Sequence, residues 1–314
     1  MKTSVISSKV LILISIIMLS KSNVQEVTGQ SIYKNSENKE LIYKLYDEKL
    51  SRWPVSYENI DVETTYGKTN IIASGDINNP AVFLIHPMGL TATVWLPNVT
   101  ALSEYYRIYA VNTIGDLGKS ELADYDNYPR KGINWSEWLE EIMAKLEINR
   151  CDVIAGSMGG WISMNFAIHS RKVDHLVLLG PMGIKSNTLG VMSRLMGIVL
   201  FPTERNKKAL TRWVLGDSQV VNDELAIYMN TAMNCAGRLP TPSHIKKKEL
   251  KKIESKTLLV LGEHDNAIGN PKKNLRYANK HFRNIEVVVM NSGHIISMQK
   301  AEQINPLILS FLAK

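Results

Sequence analysis

The sequence predicts an α/β fold, with a mostly parallel sheet, helices on both faces of that sheet and an inserted helical cap. From about residue 58 onward, short apolar strand patterns alternate with helix patterns, which is the order that parallel βαβ units produce. At 314 residues, with 45% hydrophobic and 21% charged residues, the chain can bury one large core. Helix patterns are clear at residues 135–146, 159–170 and 271–282.

One predicted strand leads directly into a serine. The segment Cys151–Trp161 begins with a short apolar strand, continues through Ser157 and then takes up a helix pattern. Ala155, Gly159 and Gly160 are small, as a strained strand-to-helix turn requires. Such a turn lifts the serine hydroxyl out of the sheet and aims the following backbone N–H groups at one point. Ser157 is therefore predicted to be a catalytic nucleophile.

A carboxylate and an imidazole follow two later strands. The apolar strand Lys256–Gly262 ends shortly before Asp265, and the strand Ile285–Met290 ends shortly before His294. Because serine alone is a poor nucleophile, we predict that His294 is its base and Asp265 the acid of a catalytic triad. The chain order of serine, acid and histidine resembles that of the α/β-hydrolases and neither of the two common protease orders.

Other residues compete for these roles. Glu263 lies two residues before Asp265 and is the alternative acid. His264 and His281 are weaker candidates for the base, because neither follows a strand by a short glycine turn. Each feature of the triad taken singly has a structural explanation, such as a helix cap or a loop carboxylate. The prediction depends on their occurrence together and in order.

A further strand indicates where an oxyanion would be bound. The apolar strand Ala81–Ile85 is followed by His86 and Pro87. In many α/β-hydrolases His-Gly stands at this place, ahead of the residue whose N–H faces the developing oxyanion. The backbone N–H groups of Met88 and Met158 are therefore the predicted oxyanion hole. Proline has no N–H, but the expected donor is the next residue, and His86 is predicted to be a scaffold residue.

Beyond these positions the chain resembles the small bacterial carboxylesterases of the naproxen-esterase type over roughly residues 40–314. The matching segments are Arg52–Pro54, Tyr66–Thr69, Ile71–Gly75, Trp95–Asn98, Tyr109–Val111, Ile114–Asp116 and Lys119–Ser120. The resemblance implies ester hydrolysis through an acyl-serine, with a small-molecule ester as substrate. It assigns the triad to Ser157, Asp265 and His294.

Two positions depart from the family pattern. Ala155 replaces the first glycine of the nucleophile turn, a sterically mild change. Asn112 replaces the aspartate that often opens the Asp-x-x-Gly-x-Gly-x-Ser loop, which removes a charge near the site. The second departure leaves the substrate preference open. C–C bond hydrolysis, lactone opening and acyl transfer are alternatives on the same scaffold, and a non-catalytic ligand-binding protein is a further one.

The interval between the strand at Leu176–Gly180 and the strand that begins near residue 257 is too long for a simple crossover. We therefore expect residues from about 184 to 250 to form a helical cap over the nucleophile. Its apolar side chains are expected either to wall an acyl pocket or to hold the cap helices to the core. These residues are Met192, Leu195, Met196, Ile198, Val199, Leu200, Phe201, Trp213, Met229 and Met233.

The first 22 residues predict a targeting segment. Lys2 and Lys9 precede the apolar run Val10–Leu19, which is short for a bilayer span and typical of a signal peptide. We expect residues 1–22 to direct the protein to secretion or to the cell envelope. Because Ser20–Ser22 is only a fair cleavage site, an uncleaved membrane anchor is the alternative.

The remaining divisions follow from composition. Residues 23–57 are expected to form a linker and an N-terminal helix, and residues 58–314 the α/β-hydrolase domain with its cap. The net charge is +7 and lysines cluster in Ile245–Ile253, but no nucleic-acid motif accompanies them, so this segment is interpreted as a solvated helix face. The sequence contains no phosphate-binding glycine loop and no cluster with metal-ligand spacing, so no cofactor or metal is expected.

Overall fold

The computed structural model describes residues 32–185, 188–201, 203–215, 219–235 and 243–314. The expected targeting segment, residues 1–22, and the first part of the expected linker lie outside the described residues. None of the described helices is both long enough and apolar enough to cross a membrane.

A single sheet forms the centre of the described chain. Its order is β1-β2-β4-β3-β6-β7-β8-β9, with β5 paired to β2. The strands are β1 (Tyr57–Thr64), β2 (Gly67–Ser74), β3 (Ala81–Ile85), β4 (Arg107–Val111), β5 (Glu121–Leu122), β6 (Cys151–Gly156), β7 (Val173–Leu179), β8 (Lys256–Gly262) and β9 (Ile285–Met290). The pairs that involve β2 are antiparallel, and every other pair from β4 to β9 is parallel. The predicted mostly parallel sheet is therefore confirmed.

Helices connect these strands. They are α1 (Ser36–Leu50), α2 (Leu96–Ser103), α3 (Gly132–Lys145), α4 (Ser157–His169), α5 (Thr188–Leu200), α6 (Glu204–Leu215), α7 (Gln219–Cys235), α8 (Lys247–Leu250), α9 (Pro271–His281), α10 (Ile296–Gln299) and α11 (Ala301–Leu312). Short 3₁₀ turns cover Ala92–Trp95 and Tyr125–Asn127. The helix predicted from Gly159 begins two residues earlier, at Ser157 itself.

The strand order places helices on both faces of the sheet. The connection from β3 to β4 runs towards one edge, whereas the connections from β6 to β7 and from β8 to β9 run towards the other. Because such crossovers are right-handed, helices on connections of opposite direction lie on opposite faces. In agreement, α2 packs against α10 and α11, and α3 packs against α4. The central strands are buried on both sides and carry the core.

The helices α5 to α8 occupy the interval between β7 and β8 in which the cap was expected. Leu200 and Phe201, at the end of α5, are 58% and 64% exposed. They do not hold the cap helices to the core, and the prediction that they wall an acyl pocket stays a prediction. Trp213 instead packs its ring under the guanidinium of Arg194, 4.1 Å away, and Met229 packs against the core. The side chains of Met192, Leu195 and Val199 lie outside the described residues.

Asn112, at the end of β4, ties three elements together. Its side-chain carbonyl accepts the Ala92 N–H at 3.0 Å. Its amide group donates to the Tyr46 hydroxyl and to Asn70 Oδ1, both at 2.9 Å. These bonds connect β4 to α1 and to β2. A carboxylate has no N–H to donate, so the asparagine that departs from the family pattern uses both of its functional groups here.

Candidate active site

Ser157 lies at the sharp turn where β6 passes into α4. Its φ angle is +49°, in the left-handed region that a side chain with a Cβ adopts only at an energetic cost. The residue is buried, with 5% of its surface exposed. Backbone strain of this kind is maintained only where the surrounding structure imposes it, and here it brings the hydroxyl to the carboxyl end of a central parallel strand.

Two further side chains meet the serine hydroxyl. The Nε2 atom of His294 lies 2.8 Å from Ser157 Oγ, and the Nδ1 atom lies 2.7 Å from Asp265 Oδ2. Asp265 follows β8 and His294 follows β9. Because β6, β8 and β9 run parallel, their carboxyl ends meet at one edge of the sheet. The three residues predicted from the sequence therefore form one continuous hydrogen-bonded chain.

Both oxygens of Asp265 are used. Oδ2 accepts from the His294 ring, while Oδ1 accepts the backbone N–H groups of Ala267 and Ile268, each at 3.0 Å. The room for this contact is supplied by Gly180, at the end of β7. A Cβ at that position would lie 3.0 Å from Asp265 Oδ2 and 3.5 Å from His294 Nδ1. The carboxylate is thus held in the orientation that aims one oxygen at the ring.

The contacts of His294 determine its protonation. Because the carboxylate of Asp265 only accepts, Nδ1 carries the ring hydrogen and Nε2 is left to accept from Ser157. Burial lowers the pKa of His294, but the charge of Asp265 and its hydrogen bond to the ring together raise it more, so the pKa lies above its usual value. The arrangement can remove the hydroxyl proton of Ser157 and hold it on the ring.

The two predicted oxyanion donors lie on adjoining segments. Met158 is the second residue of α4, so its N–H belongs to the first turn and has no partner within the helix. The next residue, Gly159, packs directly on the end of β3. A Cβ there would lie 2.3 Å from the Ile85 oxygen and 2.8 Å from the His86 oxygen. This close approach brings the start of α4 against the loop that carries Met88.

His86 holds the peptide unit that carries the Met88 N–H. Its Nε2 accepts the backbone N–H of Thr113 at 2.9 Å, so Nδ1 carries the hydrogen and donates to the Pro87 oxygen at 2.8 Å. That oxygen and the Met88 N–H belong to the same peptide. Burial lowers the pKa of His86 to about 4 in spite of its bond to Pro87. His86 is therefore neutral and acts as the scaffold residue that was predicted.

One buried carboxylate close to this loop could not be distinguished from other loop carboxylates in the sequence. Asp116 accepts the backbone N–H of Gly89, the residue after Met88. Burial raises the pKa of Asp116 to about 7. Its position after β4, at the same edge of the sheet as the triad, and its place in the matching segment Ile114–Asp116 are the sequence signals that could have drawn attention to it.

The competing candidates stay outside the hydrogen-bonded chain. Glu263 and His264 have exposed side chains, and the ring of His281 packs at 4.5 Å on that of Tyr277 at the end of α9. His294 makes its carboxylate contact with Asp265 and not with Glu263. Among the described residues, no group of three or more His, Cys, Asp or Glu side chains is arranged to hold a metal ion.

The end of helix α6 is hydrogen-bonded to the segments that carry and follow the acid and the base. The last carbonyl groups of a helix have no partners within the helix. In α6 two of them accept from the loops of the acid and the base, and a third accepts from Gln299 of α10. The bonds run from Asn266 Nδ2 to the Trp213 oxygen (2.9 Å), from His294 N to the Val214 oxygen (3.2 Å) and from Gln299 Nε2 to the Leu215 oxygen (2.6 Å). The position of α6 and the position of His294 are therefore linked.

The chain is similar to known hydrolases over most of its length. The alpha/beta hydrolase family matches residues 82–307. The uncharacterized carboxylesterase nap of Bacillus subtilis is 29% identical over 90% of this chain and 96% of its own length. Carboxylesterase YbfK of the same organism is 28% identical over 86% of this chain and 93% of its own length. The crystal structure of naproxen esterase from Bacillus subtilis superposes with a TM-score of 0.81 at 27% identity, covering 88% of this chain and 99% of that one.

Proposed function

The chain belongs to the alpha/beta hydrolase family, and we propose that it is a serine carboxylesterase that hydrolyses small to medium carboxylic esters. The observation that carries the proposal is the unbroken chain of hydrogen bonds from Ser157 Oγ through His294 to Asp265. Similarity to carboxylesterases over most of the length of both proteins supports ester hydrolysis over the other reactions of the fold.

In the first half of the reaction the enzyme is acylated. His294 Nε2 takes the proton of Ser157 while Oγ attacks the ester carbonyl, and a tetrahedral intermediate with a negative oxygen forms. The N–H groups of Met88 and Met158 bind that oxygen, which develops charge only along the reaction path. The intermediate collapses as its C–O bond breaks, and His294 gives its proton to the departing alkoxide. An alcohol leaves and an acyl-serine remains.

The second half repeats these steps with water. Water gives a proton to His294 Nε2 and attacks the acyl carbonyl, and a second tetrahedral intermediate forms at the same oxyanion site. Its collapse releases the carboxylic acid and returns the proton to Ser157. In both halves Asp265 fixes the ring tautomer and stabilises the transient imidazolium, and it remains ionised. The net reaction consumes one water and needs no other reactant.

We also propose that residues 1–22 export the protein, which would then be secreted or associated with the cell envelope. The basic start and the short apolar run at Val10–Leu19 support this assignment. An uncleaved membrane anchor is the alternative, and it would give membrane association through the same segment. Expression of the full chain in a bacterium distinguishes the two by intact mass. Cleavage gives an extracytoplasmic product that lacks residues 1–22, whereas a full-length membrane-bound product supports the anchor and a full-length cytosolic product contradicts both.

The first test of the enzymatic proposal removes the nucleophile. Wild-type protein should hydrolyse p-nitrophenyl acetate and butyrate faster than a lactone, an anilide or a C–C substrate, and a fluorophosphonate should label it once, at Ser157. Ser157→Ala should abolish labelling and lower turnover on the order of 10⁵- to 10⁶-fold, with an unchanged circular dichroism spectrum. Labelling of another serine, or full turnover in the variant, would show that the nucleophile has been misassigned.

The second test concerns the acid and its neighbour. The kcat/KM of the wild type should rise with pH as the His294 ring of the free enzyme loses its proton. The midpoint should lie above about 6.5, the ordinary value for histidine, because Asp265 raises the pKa of the ring. Asp265→Asn should lower kcat/KM by about 10³- to 10⁴-fold even at alkaline pH, since the amide can hold the wrong tautomer.

Glu263→Gln is the matched control for that experiment, because it makes the same chemical change two residues away on an exposed side chain. Its kcat/KM and its pH profile should stay close to those of the wild type. If Glu263→Gln were the severe variant and Asp265→Asn the mild one, the acid of the triad would be Glu263, and the assignment of Asp265 would have to be given up.

A further inference from the structure

Asp116 is a buried carboxylate that the mechanism above does not use. It lies in the loop between β4 and β5 and is 2% exposed. The N–H of Gly89 lies 3.0 Å from Oδ1 and 3.2 Å from Oδ2, and Oδ1 also accepts the Leu117 N–H at 2.7 Å. A carboxylate removed from water destabilises the fold unless its hydrogen bonds replace the lost hydration. Burial of the Asp116 carboxylate therefore costs folding free energy, and a function of this residue would explain why it is buried.

The surroundings of Asp116 supply no neutralising cation among the described residues. Its ionisation is governed by burial and by the Leu117 and Gly89 N–H groups, with no charged side chain contributing. Three phenols respond to its charge: Tyr33 before α1, Tyr128 after the second 3₁₀ turn and Tyr228 on α7. Their pKa values are raised mainly by burial and further by Asp116, so they stay uncharged at neutral pH.

Charged side chains lie beside these phenols. Burial raises the pKa of Tyr128, and Arg130 acts in the opposite direction. The Lys49 ammonium of α1 is 5.1 Å above the ring of Tyr228. Lys119, three residues after Asp116, is directed instead at Asp47, with a distance of 2.5 Å between Nζ and the carboxylate. The carboxylate of Asp116 thus titrates among neutral phenols and is stabilised by backbone N–H donors.

One of these donors, the Gly89 N–H, belongs to the segment that carries the proposed oxyanion donor Met88. On one side of Met88, the Pro87 oxygen accepts from His86 Nδ1 at 2.8 Å and from the Leu90 N–H at 3.2 Å. On the other side, the Gly89 N–H is held by Asp116. Met88 therefore stands between two peptide units that are each fixed by hydrogen bonds, one from the His86 side and one from the carboxylate.

We propose that Asp116 is a positioning residue of the esterase site, whose carboxylate, through Gly89, fixes the loop that presents the Met88 N–H to the oxyanion. This proposal rests on the proposed ester hydrolysis. Preorganised donors stabilise a transition state because they need no reorientation as the charge develops. Asp116 touches no reacting atom and acts only through the backbone that it holds, so its effect should appear in kcat and in the binding of tetrahedral analogues, with KM little affected.

The hold on Gly89 depends on charge, because an ionised carboxylate accepts stronger hydrogen bonds than a carboxylic acid does. Burial raises the pKa of Asp116 to about 7, against the lowering effect of the Leu117 and Gly89 N–H groups. Protonation of Asp116 as the pH falls through that region weakens the hydrogen bond from the Gly89 N–H to the carboxylate, which is the clamp on this loop. The acid side of the kcat/KM profile should therefore contain a second ionisation beside that of His294, and should fall more steeply than one proton allows.

Ionisation of Asp116 has the opposite effect on the stability of the fold, which falls as the pH rises. A carboxyl whose pKa is raised by folding favours the folded state less once it ionises. The penalty appears as the pH rises above about 3.9, the ordinary value for aspartate, and is complete above about 7. An amide of the same shape carries no such penalty. Asp116→Asn should therefore have a higher Tm than the wild type at pH 8, and this advantage should be much smaller at pH 5.

The experiment compares Asp116→Ala and Asp116→Asn with the wild type on p-nitrophenyl butyrate, with rates expressed per active site counted by fluorophosphonate labelling. Asp116→Ala should lose about 10- to 100-fold in kcat with KM changed less than about 3-fold, and a similar factor in its affinity for phenylboronic acid, which mimics the tetrahedral intermediate. Asp116→Asn keeps an acceptor oxygen, so its loss should be smaller, and its acid limb should fit a single ionisation.

Asp152→Asn is the matched control. Asp152 is also buried, its pKa is also raised by burial, and it bonds to His175 at 2.8 Å at the opposite end of β6. Its kcat per labelled site should equal that of the wild type. If Asp116→Ala kept the wild-type kcat, boronate affinity and pH profile, the positioning role would be overturned. If Asp116→Ala failed to fold, the kcat, the boronate affinity and the pH profile of Asp116→Asn would decide in the same way.

Failure of the proposed function is distinguishable from failure of the clamp. If the wild type hydrolysed no ester in the panel, the esterase proposal would be refuted first. The rate at which fluorophosphonate captures Ser157 would still test the clamp, because that reaction also places a negative oxygen between Met88 and Met158. Capture at the wild-type rate in Asp116→Ala would then refute the positioning role, and slower capture would support it.

Discussion

The hydrogen bond between His294 Nδ1 and Asp265 Oδ2 sets the chemistry of the rest of the site, because it decides which ring nitrogen faces Ser157. At 2.7 Å, the bond keeps the hydrogen on Nδ1 and leaves Nε2 free to take the serine proton. The carboxylate keeps this orientation because its second oxygen is occupied by two backbone N–H groups. Since the loops of both residues also bond to α6, the position of α6 and the geometry of the ring are connected.

A second constraint fixes the backbone segment whose Met88 N–H would bind the developing oxyanion. The buried side chains of His86 and Asp116 hold that segment by hydrogen bonds, and the two side chains differ in ionisation state. His86 is neutral because burial lowers its pKa to about 4, and it donates to Pro87. Asp116 titrates near neutral pH and accepts from Gly89. The site therefore combines a donor that is independent of pH with an acceptor whose strength changes as the pH falls.

Much of this architecture could be predicted from the sequence, because buried parallel strands are continuous apolar runs with sharp ends. The strands Lys256–Gly262 and Ile285–Met290 occur with the predicted bounds, and the residues just beyond them meet Ser157. Contacts that depend on tertiary packing were not predictable. Apolar composition does not reveal that the end of α5 faces outward at Leu200, and no local pattern shows that Asp116 is buried against Gly89.

In the proposed mechanism the nucleophile, the base and two backbone donors converge on a single reacting carbon. A crystal structure of the wild-type protein after reaction with a p-nitrophenyl alkylphosphonate tests it most directly. We expect phosphorus bonded to Ser157 Oγ, with the phosphoryl oxygen about 2.7–3.1 Å from the N–H nitrogen atoms of both Met88 and Met158. A phosphoryl oxygen directed away from these two nitrogen atoms, or phosphorus on another side chain, would contradict it.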